Sequence, residues 1–140
     1  MKKAQRITAL FAILCFALLP VEGLAQSAQF IDRKAYADEQ KTSVYKFENV
    51  QAVKDYIAGG FSNFVVDVCE LKLAGDDVVV VSFYSGSGIP RKRALVLRKE
   101  QFTKKLALVM AITFQDPATK LWDFPFFSEM QDHYLKFRFS

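Results

Sequence analysis

The chain has 140 residues, of which 51% are hydrophobic and 24% are charged. This balance excludes an intrinsically disordered protein, and the length fits one domain with a substantial core. The formal net charge of +4 at pH 7 falls to +2 for residues 26–140, so the chain is only weakly basic without its first 25 residues.

Residues 1–25 have the three-part layout of a secretory signal peptide. Three basic side chains open the segment, and small residues precede a predicted cleavage after Ala25. The apolar run over residues 7–19 is shorter than the roughly 20 residues that cross a bilayer, although a retained membrane anchor is the alternative. We therefore predict export, to the periplasm as first choice or by full secretion as second, with no transmembrane span after cleavage.

Residues 26–46 mix charges with scattered apolar side chains, so we expect a partly ordered lead-in. A single globular domain, residues 47–140, is expected to follow. Its first predicted element is a helix over residues 48–58, which Asn49 can cap and Gly59 can end. The apolar stripe of this helix consists of Val50, Val53 and Ile57.

Two valine-rich runs around the break at residues 74–77 predict a β-hairpin over residues 64–84. Within the first run the apolar residues change parity near Val68 and Cys69, which predicts a β-bulge there; the alternative is a strand covered on both faces at one end. The continuous apolar run over residues 78–81 predicts a central strand shielded on both faces.

A further strand is predicted at residues 93–98. Large and small apolar residues alternate over residues 104–115, which favours a strand, while a buried helix over residues 99–112 remains open. An aromatic strand over residues 121–127 and a closing strand over residues 133–139 complete the prediction. The fold class is therefore α+β, mainly β, with one short N-terminal helix packed on an antiparallel meander sheet of about six strands.

Catalytic signals are weak. Cys69 and His133, the only thiol after cleavage and the only histidine, could form a dyad oriented by Asp132, but a cysteine within a strand is more typical of a core. An intramolecular disulfide is excluded, while an intermolecular one stays open. The sequence has neither a metal-ligand spacing nor a phosphate-binding glycine-rich loop, so we expect no metal site, no cofactor and no enzymatic activity.

A basic segment, residues 91–105, carries seven basic side chains against one acidic one. For an exported protein the available anions are lipid headgroups, envelope polymers and acidic protein surfaces rather than nucleic acid. A solvated face protected from edge pairing by lysine is the alternative. The candidate basic residues are Arg91, Lys92, Arg93, Lys99, Lys104 and Lys105.

An aromatic segment follows near the C-terminus. Two consecutive residues of a regular strand cannot both face inward, so one of the Phe126–Phe127 pair is expected to be exposed. The candidate aromatic contact residues are Trp122, Phe126 and Phe127. Together the two segments predict a small periplasmic, non-enzymatic binding protein that docks a protein or anionic envelope partner, as an inhibitor, an immunity protein or an accessory subunit. The alternative is a carrier of a small apolar or sugar ligand in an aromatic-lined cavity.

Overall fold

A computed structural model describes residues 28–86 and 88–140, and the predicted signal peptide and its cleavage site lie outside these residues. The elements of the described chain are, in order, β1 (Ala28–Asp32), α1 (Arg33–Glu39), β2 (Lys46–Phe47), α2 (Val50–Ala58), β3 (Phe64–Leu73), β4 (Asp76–Ser85), β5 (Arg91–Lys99), β6 (Leu106–Phe114) and α3 (Phe126–Arg138).

The strands form one six-stranded antiparallel sheet. Strands β3 to β6 follow one another as a meander, β1 pairs with the second half of β6, and β2 pairs with its first two residues. The predicted class, α+β and mainly β with an antiparallel sheet of about six strands, is confirmed. The single short N-terminal helix of that prediction is corrected, because the described chain has three helices and the longest, α3, lies at the C-terminus. The strand interpretation of residues 104–115 is also confirmed, because they contain β6.

Helices cover both faces of the sheet. Val78 and Val80 of β4 pack in one cluster with α3, whereas Val79 and Val81 pack in the other with α1 and α2. Successive residues of a strand point to opposite faces, so a strand covered on both sides must be apolar at every position. This arrangement confirms the prediction for residues 78–81, and it explains the same continuous apolar pattern in β5 and β6.

The helix predicted over residues 48–58 corresponds to α2, which Asn49 caps at its start and Gly59 at its end. The Asn49 side chain accepts a hydrogen bond of 2.9 Å from the Ala52 amide, and this satisfies one of the free N–H groups at the helix start. Residues 28–46 contain β1 and α1, and Asp32 caps α1 in the same way.

The predicted hairpin is present as β3 and β4, joined by Ala74 and Gly75 at positive φ. A bulge also occurs in β3, but at Val66 rather than at the predicted position. Val68 and Cys69 lie on opposite faces of the sheet, so the parity change there reflects burial on both sides of the strand, which was the alternative interpretation.

The C-terminal part of the prediction is wrong. Residues 133–139 were predicted as a closing strand, but residues 133–138 belong to the longest helix, α3, and Phe139 follows its end. Residues 121–127 form turns and the start of that helix instead of a strand. The buried side chains of α3 are Phe126, Met130 and Tyr134, four residues apart, which is a helical stripe. Acidic Glu129 in the first turn and two basic residues in the last turn complement the helix dipole.

The sheet has two distinct ends, which we name after their connections. At the loop end, β4 and β5 are joined by residues 86–90 and β6 is joined to α3 by residues 115–125. At the turn end, residues 74–75 join β3 to β4 and residues 100–105 join β5 to β6. These two ends separate the predicted site residues.

Candidate interaction surface

The predicted basic residues do not form one patch. Arg91 begins β5 at the loop end, whereas Lys99 is the last residue of β5 at the turn end. A strand advances about 3.3 Å per residue, so the eight steps between them correspond to about 26 Å. Lys104 and Lys105 lie at the turn end with Lys99, and the whole predicted aromatic group lies toward the loop end.

The basic residues at the loop end are Arg91, Lys92 and Arg93, and the last two make contacts that stabilise the fold. The Lys92 ammonium donates to the Thr119 carbonyl oxygen at 2.7 Å and lies 4.8 Å from the centre of the Phe114 ring. Arg93 donates to the Thr113 hydroxyl at 3.2 Å and to Glu39 at 3.3 Å. Arg91 is exposed and makes no side-chain hydrogen bond or ion pair with any residue that the structure describes. Arg91 is therefore the cation of this group that is best placed to contact a partner.

The turn-end cations are balanced by acidic neighbours. Lys105 pairs with Glu48 at 3.2 Å, and Lys72 pairs with Asp77 at 2.7 Å. The pKa of Asp77 lies below its usual value, first because Lys72 donates a hydrogen bond to it and then because of the surrounding positive charge, including Lys99. This end is therefore a mixed-charge surface rather than a continuous basic one.

Glu100 strengthens this balance at the turn end. Its carboxylate accepts a hydrogen bond of 2.7 Å from the Thr103 hydroxyl and pairs with Lys46 of β2 at 3.1 Å. These two contacts, in that order of size, lower the pKa of Glu100. Glu100, the one acidic residue of the predicted basic segment, thus stabilises the β5–β6 turn and links this turn to β2.

The predicted aromatic residues differ in their accessibility. Phe126 is buried in the core under α3, so it has no role at the surface. Phe127 is half-buried, and its ring lies 5.5 Å from that of Trp122. Trp122 is 57% exposed. We expected one of Phe126 and Phe127 to be exposed. Phe127 is the one that reaches solvent, but it is only half-exposed, and both residues belong to a helix rather than to the predicted strand.

Two exposed apolar residues on the β4–β5 and β6–α3 loops were not predicted. Ile89, in the β4–β5 loop, is 91% exposed, and Phe124, in the β6–α3 loop, is 84% exposed. Ile89 and Arg91 line one groove with Pro117 of the β6–α3 loop, so the two loops meet at this end. We define the loop-end surface as the following residues: Ile89, Arg91, Trp122 and Phe124.

The local sequence explains why these side chains are exposed. Ile89 lies between Gly88, which has a positive φ, and Pro90, so the chain there cannot continue a strand. Phe124 precedes Pro125 in a loop that α3 does not cover. In the sequence, a glycine or proline next to a hydrophobic residue was the only indication that the residue lies on a loop. The sequence alone does not show which of these hydrophobic residues are exposed.

The structure does not form the Cys69–His133 dyad. Cys69 lies in β3, and His133 stacks on Phe30 of β1 with ring centroids 4.3 Å apart. These strands are the two edges of the sheet, separated by four strand spacings or about 19 Å. Burial raises the pKa of the Cys69 thiol, and the Asp67 carboxylate raises it further, so the reactive thiolate is disfavoured.

The grooves give little support to the predicted carrier. A groove of about 530 Å³ at the turn end is lined by charged and aliphatic residues of α2, β3, β4 and the β5–β6 hairpin, and no aromatic side chain lines it. A groove of about 440 Å³ between α1 and α2 contacts Tyr36, Tyr56 and Phe83, but only Tyr56 among them is more than marginally exposed. The aromatic residues of the loop-end surface lie on open loops.

Within residues 28–86 and 88–140, no group of three or more histidine, cysteine or acidic residues is placed to hold a metal ion. None of the described helices has the length and apolar character needed to cross a membrane.

Comparison of the chain with protein-family models, with curated proteins and with solved structures finds no match. The function is therefore inferred from the surface and its chemistry.

Proposed function

We propose that the mature protein is a small periplasmic, non-enzymatic binding protein that docks a protein or anionic envelope component through the loop-end surface. It acts by occupying a surface of that partner, as an inhibitor, an immunity protein or an accessory subunit does. The observation that carries the proposal is the exposure of Ile89, Trp122 and Phe124 on the two loops of the loop end, which meet where Ile89 and Arg91 approach Pro117.

The chemistry of this surface is that of a binding site. Trp122 and Phe124 are exposed two residues apart on one loop, and the Trp122 ring lies against that of half-buried Phe127. Contiguous exposed apolar patches mark interaction sites, and tryptophan and arginine are enriched among the residues that dominate binding energy. Burial of Trp122 and Phe124 supplies affinity, and Arg91 favours an acidic region of the partner. The distance between Cys69 and His133 supports a role without nucleophilic catalysis.

The proposal is tested by capture from the solubilised envelope fraction of the source organism on immobilised residues 26–140. The double variant Trp122→Ala/Phe124→Ala should lose at least tenfold in recovery of the captured component, because hot-spot aromatics each contribute about 2 kcal/mol or more. The matched control is Phe102→Ala/Phe139→Ala, which also removes two exposed aromatic rings but at the turn end. It should bind like the wild type.

Salt dependence tests the electrostatic part separately. Raising the salt concentration from about 0.1 M to about 1 M shortens the Debye length from about 10 Å to about 3 Å and should weaken capture. Arg91→Gln should bind more weakly at the lower salt concentration and show a smaller salt effect. The proposed surface would be refuted if the loop-end and turn-end double variants lost recovery equally, or if neither double variant changed the recovery of the captured component.

A further inference from the structure

Strand β3 is a long edge strand with one side free. It pairs with β4 along nearly its whole length of ten residues, and no other described strand lies on its outer side. The opposite edge of the sheet is built differently, from the short strands β1 and β2. Edge strands present unpaired N–H and C=O groups that can receive another strand, and short edges limit this hazard. β3 therefore offers the available pairing edge.

The side chains of β3 near the hairpin divide cleanly between the two faces of the sheet. Cys69, Leu71 and Leu73 contact the core on the α3 side, and Cys69 and Leu71 are only partly buried. Glu70 and Lys72 are exposed on the other face, opposite Val79 and Asp77 of β4. The edge thus has an incompletely covered apolar row on one face and two opposite charges on the other.

This pattern is self-complementary about Leu71. When two copies of β3 pair antiparallel around a two-fold axis through Leu71, Glu70 of each copy lies opposite Lys72 of the other. Cys69 then lies opposite Leu73, so apolar residues meet on the α3 side. One interface therefore contains two Glu70–Lys72 pairs, and every side chain stays on the face of the sheet that it occupies in the single chain.

Other registers fit less well. Side chains that lie opposite each other in an antiparallel pair share one face, so the two-fold axis must pass through a residue. An axis through Glu70 or through Lys72 would place like charges opposite each other, which is destabilising. An axis through Cys69 would leave Glu70 opposite Val68, and the bulge at Val66 interrupts pairing beyond that point.

We propose that a second copy of this chain binds β3 in the register centred on Leu71. Five residues of each copy, 69–73, form the pairing, and the two six-stranded sheets join into one continuous sheet. Pairing satisfies the outward backbone groups of residues 69–73 in both copies and covers the partly exposed Cys69 and Leu71 side chains of both. This dimer does not depend on the function proposed for the loop-end surface.

Charge reversal tests the pairing. Residues 26–140 should show concentration-dependent dimerisation in sedimentation-velocity experiments. Glu70→Lys and Lys72→Glu should each weaken the dimer at least tenfold, because each places two like-charged pairs across the axis, and Glu70→Lys/Lys72→Glu should restore it. Both positions are exposed, so circular dichroism should show an unchanged fold. Because Lys72→Glu also breaks the ion pair of 2.7 Å with Asp77 of its own chain, Glu70→Lys, which breaks no ion pair with a described residue, is the diagnostic single variant. A monomer at every concentration, or a double variant as weak as the single ones, would overturn the proposal.

Engineered thiols test the register. Opposite residues of an antiparallel pair have Cα atoms about 4.5–5.5 Å apart, within the range of a disulfide. Cys69→Ser/Leu71→Cys should therefore form a covalent dimer under mild oxidation. In the wild type the two Cys69 residues would lie four steps or about 13 Å apart along the strands, so the thiol should stay free. A Cys69-linked wild-type dimer, together with no link through position 71, would refute the register.

Discussion

At the scale of single residues, Tyr134 joins the last helix to the hairpin of the sheet. Its side chain is fully buried, and its hydroxyl donates a hydrogen bond of 2.8 Å to the Asp76 carboxylate, which also accepts one of 3.0 Å from Arg138. Burial raises the pKa of Tyr134, and the hydrogen bond to Asp76 raises it further, so the phenol stays protonated and remains a donor. This contact fixes the position of α3 on the sheet.

We predict that Tyr134→Phe lowers the free energy of unfolding by about 1.5–3 kcal/mol, because Asp76 loses a charge-assisted hydrogen bond within the protein. Urea unfolding at neutral pH measures the change. Tyr84→Phe is the control, since the Tyr84 hydroxyl makes no hydrogen bond with any described residue, and it should change stability by less than about 0.5 kcal/mol. Equal effects of the two substitutions would contradict the structural role of Tyr134.

Cys69 is expected to act through packing alone. Cys69→Ala removes a partly buried sulfur atom and should cost about 1 kcal/mol of unfolding free energy. Partner capture should remain at the wild-type level, because Cys69 lies in β3 and not on the loop-end surface. Loss of capture in a fully stable variant would show that the thiol has a functional role.

At the scale of the elements, the sequence was most informative where one signal dominated. The valine runs of β3 and β4 and the capping residues of α2 were interpreted correctly. The closing segment was misread, because Leu135, Phe137 and Phe139 alternate with polar residues while the buried stripe is formed by Phe126, Met130 and Tyr134. Leu135 and Phe139 are exposed, and among the alternating apolar residues only Phe137 packs against the core.

The β3–β4 turn contains a correctable strain. Ala74 and Gly75 both have positive φ, as the two central residues of a type I′ hairpin turn do. This conformation costs an alanine roughly 1 kcal/mol, whereas asparagine adopts it more readily. Ala74→Asn should therefore raise the free energy of unfolding by about 0.5–1 kcal/mol in urea titrations.

The control for this substitution is Ala118→Asn, at an exposed turn residue without a positive φ. It should leave the stability within about 0.5 kcal/mol of the wild type. If Ala74→Asn destabilises the protein, the proposed turn geometry is wrong.

At the scale of the whole molecule, the candidate site could be predicted only in part. The basic segment was recognised as one linear cluster, but β5 is extended and carries Arg91 and Lys99 to opposite ends of the sheet. Trp122 was predicted and is exposed, whereas Ile89 and Phe124 were missed. Exposure of an apolar side chain depends on how loops pass over the core, which residue type and spacing do not encode locally.

Because helices cover both faces of the sheet, the side chains that can contact a partner lie mainly at the ends and edges of the sheet. The apolar residues that remain accessible in the described chain lie mainly on the loops and along the β3 edge, with Leu135 on the outer side of α3 as an exception. If two copies pair through β3, their antiparallel strands direct the two loop-end surfaces to opposite ends of the joined sheet. The dimer would then present two copies of the proposed docking surface without covering either.

Site-specific photo-crosslinking in intact envelopes is the most direct test of where a partner binds. Phe124 and Phe102 are comparably exposed, at 84% and 90%, and lie at the loop end and the turn end respectively. With p-benzoylphenylalanine at either position, the loop-end surface predicts a discrete adduct of higher mass from position 124 and none from position 102. Adducts only from position 102, or the same adducts from both positions, would contradict docking through the loop end.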